Sequence, residues 1–149
     1  MAAVKHARGV SLLIKVGYGA SPEVFSIFCS INAARGISFS STTNDFVLPD
    51  CDNPDQLAWV VREKDGLTAT INGAGLLNTP DVQTFFDWFK SADSRNVKVV
   101  VDVPSVDGGV IFSGAFHLTE FEITGDRGAK MESSLTLVSD GPITSAANP

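Results

Sequence analysis

One capped helix stands alone in a chain whose other regular segments repeat every second residue. From residue 66 to residue 141 the order is a strand, a short helix, a strand, then a long two-stranded ribbon. Residues 66–74 set Leu67, Ala69, Ile71 and Gly73 against Thr68, Thr70, Asn72 and Ala74. That spacing predicts a strand with one covered face and one wet face. The helix is predicted over 80–92, with Thr79 as N-cap, Pro80 at the first helical position and Asp81 complementing the dipole. Val82, Phe85, Phe86 and Phe89 make its apolar stripe, and Trp88 falls beside it.

The segments around this unit are strands and turns. Residues 97–103 are β-branched and stop at Pro104, and Asp107, Gly108 and Gly109 make a turn. Val110, Phe112, Gly114, Phe116 and Leu118 then share one face, whereas Phe121 and Ile123 carry the apolar set in the opposite parity. A one-residue shift of that kind predicts a bulge near Thr119 and Glu120. After a Gly-rich turn at 125–128, residues 130–138 return with Met131, Leu135 and Leu137 on one face.

Upstream, residues 1–9 read as a flexible arm, 10–16 as a strand and 17–22 as a turn. Residues 24–31 alternate with Phe25, Ile27, Cys29 and Ile31 toward a core, and 37–43 form a strand ended by Asn44 and Asp45. Residues 44–65 are irregular, because Pro49, Asp50, Asp52, Asn53, Pro54 and Asp55 oppose continuous strand. This loop still carries Phe46, Val47, Leu48, Leu57, Trp59, Val60 and Val61. Apolar loop residues need a partner surface. It is either a lid folded on its own core or a contact loop for a neighbouring subunit. Residues 142–149 make a polar tail.

At 149 residues the chain is one domain, long enough to bury a core without a metal or disulfide staple. The formal net charge of −6 argues against gripping nucleic acid, which needs clustered Lys and Arg. Charged residues are only 19%, which leaves neutral surface for contacts with other copies. No apolar run is long enough for a bilayer or a signal peptide, so synthesis in a cytoplasm is expected. Cys29 reads as a small buried hydrophobe. Cys51 sits in a polar loop, either unpaired or able to pair with a neighbouring subunit in an oxidising setting.

No catalytic set emerges. Gly73-Ala-Gly75-Leu-Leu-Asn78 imitates a dinucleotide fingerprint, but Asn78 stands where a small residue is needed and the helix begins after the motif. Those glycines are expected to serve a bend. Glu120 and Glu122 share a strand face roughly 7 Å apart. Paired carboxylates can hydrolyse glycosides, but only in a cleft with one desolvated acid, so a solvated acidic stripe is expected. His6 and His117 are isolated, with no metal spacing and no cofactor implied.

The pattern resembles the phage tail tube proteins, a family that includes the major tail proteins of long-tailed phages and gene transfer agents. The likeness covers roughly residues 11–144. It is carried by Leu12-Leu13-Ile14-Lys15-Val16, by Gly66-Leu-Thr-Ala-Thr-Ile-Asn-Gly-Ala-Gly75, by the helix from Val82 to Phe89, and most specifically by a strand closing in Ser139-Asp140-Gly141. It implies a mainly-β fold, a β-sandwich or split barrel with one flanking helix, whose subunits form six-membered rings that stack into a hollow virion tube. Their sheets join into one inner barrel. DNA passes through without specific binding. The implied partners are other copies, tape-measure, baseplate or tip and tail-terminator proteins, and in a contractile tail a sheath. An acidic wall repels phosphate, which nominates Asp102, Glu120 and Glu122 for the lumen and strands 110–124 and 130–138 for the inner wall. Phe46, Val47, Leu48, Leu57 and Trp59 are nominated for the contact between rings, and Cys51 for an inter-subunit thiol. The rivals are a tube of a contractile injection or type VI secretion system, a small-ligand β-barrel, and a carboxylate-pair hydrolase.

Overall fold

The computed structural model describes residues 3–17, 25–27 and 33–148. A 3-10 turn, Gly9–Ser11, leads into β1 (Leu12–Gly17), followed by β2 (Phe25–Ile27), β3 (Ala34–Val47) and β4 (Val60–Leu76). Then come α1 (Asp81–Lys90), β5 (Arg95–Val101), a second 3-10 turn at Ser105–Asp107, β6 (Val110–Thr124), β7 (Glu132–Ser139) and β8 (Thr144–Ala147). The rest of the strand expected over 24–31, Cys29 included, and residues 18–22 of the expected turn lie outside the described residues.

The strands pair antiparallel in the order β2-β1-β5-β6-β7-β4-β3, with β8 on β6. Phe39 of β3 and Phe112 of β6 place their ring centroids 5.2 Å apart. Those strands stand three positions apart in the sheet, about 14 Å if it were flat. The sheet therefore curls around its apolar face and stays open, which is the split-barrel form of the expected mainly-β fold.

The core lies inside that curl. Ile14, Val16, Val97, Val99, Phe116, Leu118, Leu135, Leu137, Ala69 and Ile71 line the concave face, and α1 closes it with Phe85 and Trp88. Burying each large side chain is worth roughly 1.5–3 kcal/mol. Phe85 stacks edge-on against Phe121 at 5.1 Å. The expected bulge is present, as a register shift between Leu118 and Glu120. It returns Phe121 to the core side after the parity change.

Several expectations need correction. The helix buries Phe85 and Trp88, whereas Phe86 and Phe89 remain 46% and 48% exposed. A ten-residue helix lying on one sheet face buries only the narrow row at i and i+3. Pro80, not Thr79, takes the capping position, and Asn78 Nδ2 donates to Asp81 Oδ2 at 3.1 Å to hold the first turn. Gly73 and Gly75 make no bend; they sit buried in the β4 ladder opposite Leu135 and Ser133. The strand expected to end at Asn44 and Asp45 continues to Val47, and its partner resumes at Val60, so only residues 48–59 are irregular. The polar tail is not loose: Thr144–Ala147 pairs with β6 from Ser113 to Val110.

That last strand depends on two glycines. Gly141, at φ +103°, reverses the chain after β7. Gly114 has no side chain, and a Cβ there would strike Ile143 Cδ1. We expect Gly114→Val to displace Ile143 and cost about 1–3 kcal/mol. Urea unfolding reads the loss, and faster amide exchange at 144–147 locates it.

Candidate functional site

The chain's most unusual surface is built by β3 and β4. From Ala34↔Ala74 to Val47↔Val60 the two strands pair without interruption except for a shift at Thr42/Thr43, where Asp65 is the extra residue on β4. β7 accompanies β4 only from Leu76 to Thr70. Beyond that point the two strands leave the sheet as a free ribbon. From Ala69 to Val60 it spans about 30 Å at the usual strand rise. Asp45 and Arg62 face each other across it, Nε to Oδ1 at 3.3 Å.

The ribbon's far end is apolar on both faces. Val47 pairs with Val60 on one face, and Phe46 pairs with Val61 on the other. Leu48, Leu57 and Trp59 are 66%, 95% and 91% exposed. The body is too far away to cover them. This excludes the lid alternative and leaves these apolar side chains uncovered. Cys51 lies in the same loop, exposed and free.

The second surface is the sheet face that α1 does not cover. Alternation puts Glu120, Glu122, His117, Thr136 and Asn72 there. Thr136 Oγ1 donates to Asn72 Oδ1 at 3.1 Å, and His117 Nε2 lies 3.1 Å from Asp140 Oδ2. Glu120 and Glu122 are exposed, one row apart, outside any cleft. That geometry gives neither carboxylate the desolvation that glycoside hydrolysis requires. Asp102 is not on this face of the ladder. It follows the end of β5, at the rim, with its Oδ1 3.5 Å from Asn148 Nδ2. The same face carries Lys15 directly opposite Lys98, a like-charged cross-strand pair that the sequence reading did not single out. The face is therefore acidic toward one end and basic toward the other.

The third feature is a cleft of about 1000 Å³ where the ribbon forks from the body. Here β7 has ended, β8 has taken its place beside β6, and β4 keeps only β3 as a partner. Ser139 marks the fork, accepting from Ala69 N at 3.0 Å and lying 3.3 Å from Thr68 Oγ1. Phe39, Leu67, Phe112, Pro142 and Ile143 line it. It is an open notch and not a ligand chamber, because the inside of the curl is filled with side chains. Leu67 follows the core parity yet is 81% exposed, and only the fork explains why.

Among the described residues no three His, Cys, Asp or Glu side chains group as metal ligands do, and no helix is long and apolar enough to cross a membrane.

The profile of the family described as phage tail tube protein matches residues 6–145. No curated protein matches in sequence. Among solved structures, a chain from the virion of a native gene transfer agent particle superposes with a TM-score of 0.69 at 23% identity, over 95% of this chain and 100% of that one. A chain from the tail of an empty gene transfer agent particle, refined with C6 symmetry, gives 0.68 at 25% identity, with the same coverage of 95% and 100%. The SPP1 tail tube gives 0.59 at 10% identity, over 95% and 79%.

If the ribbon end is a contact surface and not part of the core, its residues can be changed without harm to the subunit. Leu57→Ser and Trp59→Ser should each move monomer stability by less than about 0.5 kcal/mol. Leu137→Ala, from the core, should cost about 2–5 kcal/mol. Chemical denaturation of the three variants checks this.

Proposed function

This chain belongs to the phage tail tube protein family, and from that premise we propose that it forms six-membered rings that stack into a hollow virion tube conducting DNA. One observation supports the assembly above all. The subunit exposes 10256 Å². A folded monomer of 15.8 kDa should expose about 7300 Å². The excess, about 3000 Å², is several times the roughly 800 Å² that one partner covers in a standard interface. An incomplete sheet with one apolar-ended ribbon is a subunit whose remaining surface is supplied by copies of itself. The C6 symmetry of the gene transfer agent tail supports six as the number.

In this proposal the helix-free face is the lumen wall, built from β6 and β7, and α1 lies outside. Glu120 and Glu122 repel the phosphate backbone, so DNA slides without being held. Asp102 adds charge at the rim. Phe46, Val47, Leu48, Leu57 and Trp59 make the contact between rings, and Cys51 sits close enough to that contact for an inter-subunit thiol. Tape-measure, baseplate or tip, and terminator proteins set the tube's length and ends. Assembly takes place in the host cytoplasm. The role is architectural and needs no cofactor.

Electron microscopy of the purified protein should show hollow rods or stacked rings. Trp59→Ala should leave a folded monomer that makes no rods. A wild-type chain that stays monomeric at every concentration defeats the tube proposal. Rods of normal length from Trp59→Ala defeat only the assignment of the inter-ring contact.

A further inference from the structure

We infer that the fork cleft at the ribbon's base is the socket for the ribbon end of another copy, with Trp59 and Leu57 entering between β4 and β8. This rests on the tube reading and names the surface on which its inter-ring contact closes. Knob and socket are on the same chain but cannot meet there. The ribbon separates Trp59 from Leu67 by about 26 Å, and from Lys64 at the socket's near rim by about 16 Å, at the usual strand rise, and its continuous pairing from Thr43↔Lys64 to Val47↔Val60 prevents the end from folding back. The occupant must therefore come from a different copy.

The chemistry of the two surfaces matches. The knob presents an indole and an isobutyl group, 91% and 95% exposed. The socket presents Phe39, Leu67, Phe112, Pro142 and Ile143, and its 1000 Å³ accommodates both groups. Leu67 at 81% and Phe39 at 55% are exposed large apolar residues that a folded subunit would otherwise cover. The socket also has two unpaired backbone edges, those of β4 beyond Ala69 and of β8 away from β6, among the described residues. An entering extended segment can satisfy them by strand addition. A knob and a socket at different places on one chain make a heterologous contact, which leaves a free knob and a free socket on every pair of copies.

The experiment places a photocrosslinker in the knob, Trp59→p-benzoylphenylalanine, and assembles tubes from equal parts of isotopically heavy and light protein. Irradiation should give heavy–light crosslinks to 64–69 or 139–145. Crosslinks confined to one copy, or directed to α1 or to a second ribbon end, overturn the inference. If the substituted chain does not assemble, Leu67→Glu decides. Its monomer should melt as the wild type does, while the assembled fraction in sedimentation falls at least tenfold; unchanged assembly overturns the inference. A wild-type protein that forms no rods overturns the tube reading and this inference together. Wild-type rods with crosslinks elsewhere overturn the inference alone.

Discussion

Unpaired backbone governs this molecule. A strand edge presents a row of N–H and C=O groups that must find partners or water. Here β3 and β4 run well past the last strand that could cover them, and the sheet stops short of closing. The core holds the subunit together, but it does so with the inner part of each strand only. Beyond Ala69 on β4 and beyond Phe39 on β3, the strands have only each other as partners. The same constraint accounts for the surface excess, for the two-sided apolar ribbon end and for the fork where β7 hands over to β8.

A division of labour follows. Phe85, Trp88 and the concave face of the curl specify one compact body. The long strands then carry two surfaces away from that body in different directions: a polar face free of helix, and a ribbon free of body. The core and the exposed apolar surface are therefore carried by almost disjoint sets of residues. The polar face is also less uniform than net charge suggests. The carboxylates of Glu120 and Glu122 lie toward one end, and the ammonium groups of Lys15 and Lys98 toward the other. A charge of −6 says nothing of such a gradient, because only strand pairing brings Lys15 and Lys98 side by side.

The legible parts of the sequence were those where a period met a core. The parity change after Leu118 announced a bulge, and the structure has it where Phe121 must return to the interior. The apolar residues from Phe46 to Trp59 stood out because nothing local could bury them. The ribbon itself was not legible as strand. Both of its faces are wet, so Asn44–Lys64 shows no alternation, and the extra residue at Asp65 breaks what parity there is. The helix stripe misled for a related reason. Phe86 and Phe89 look like core by spacing, but only the row through Phe85 and Trp88 is turned onto the sheet.

The sequence by itself determined a mainly-β subunit with one helix, an acidic net charge, and an apolar segment that nothing local can bury. These follow from local spacing and residue chemistry, which every stretch of chain carries within itself. Only the tertiary structure decided how far the ribbon stands from the body, that the tail closes onto β6 as a strand, and that Phe39, Leu67, Phe112 and Ile143 meet around one notch. The first and last of those residues lie more than a hundred positions apart. Their meeting depends on register and curl, which are properties of paired strands and not of any single one.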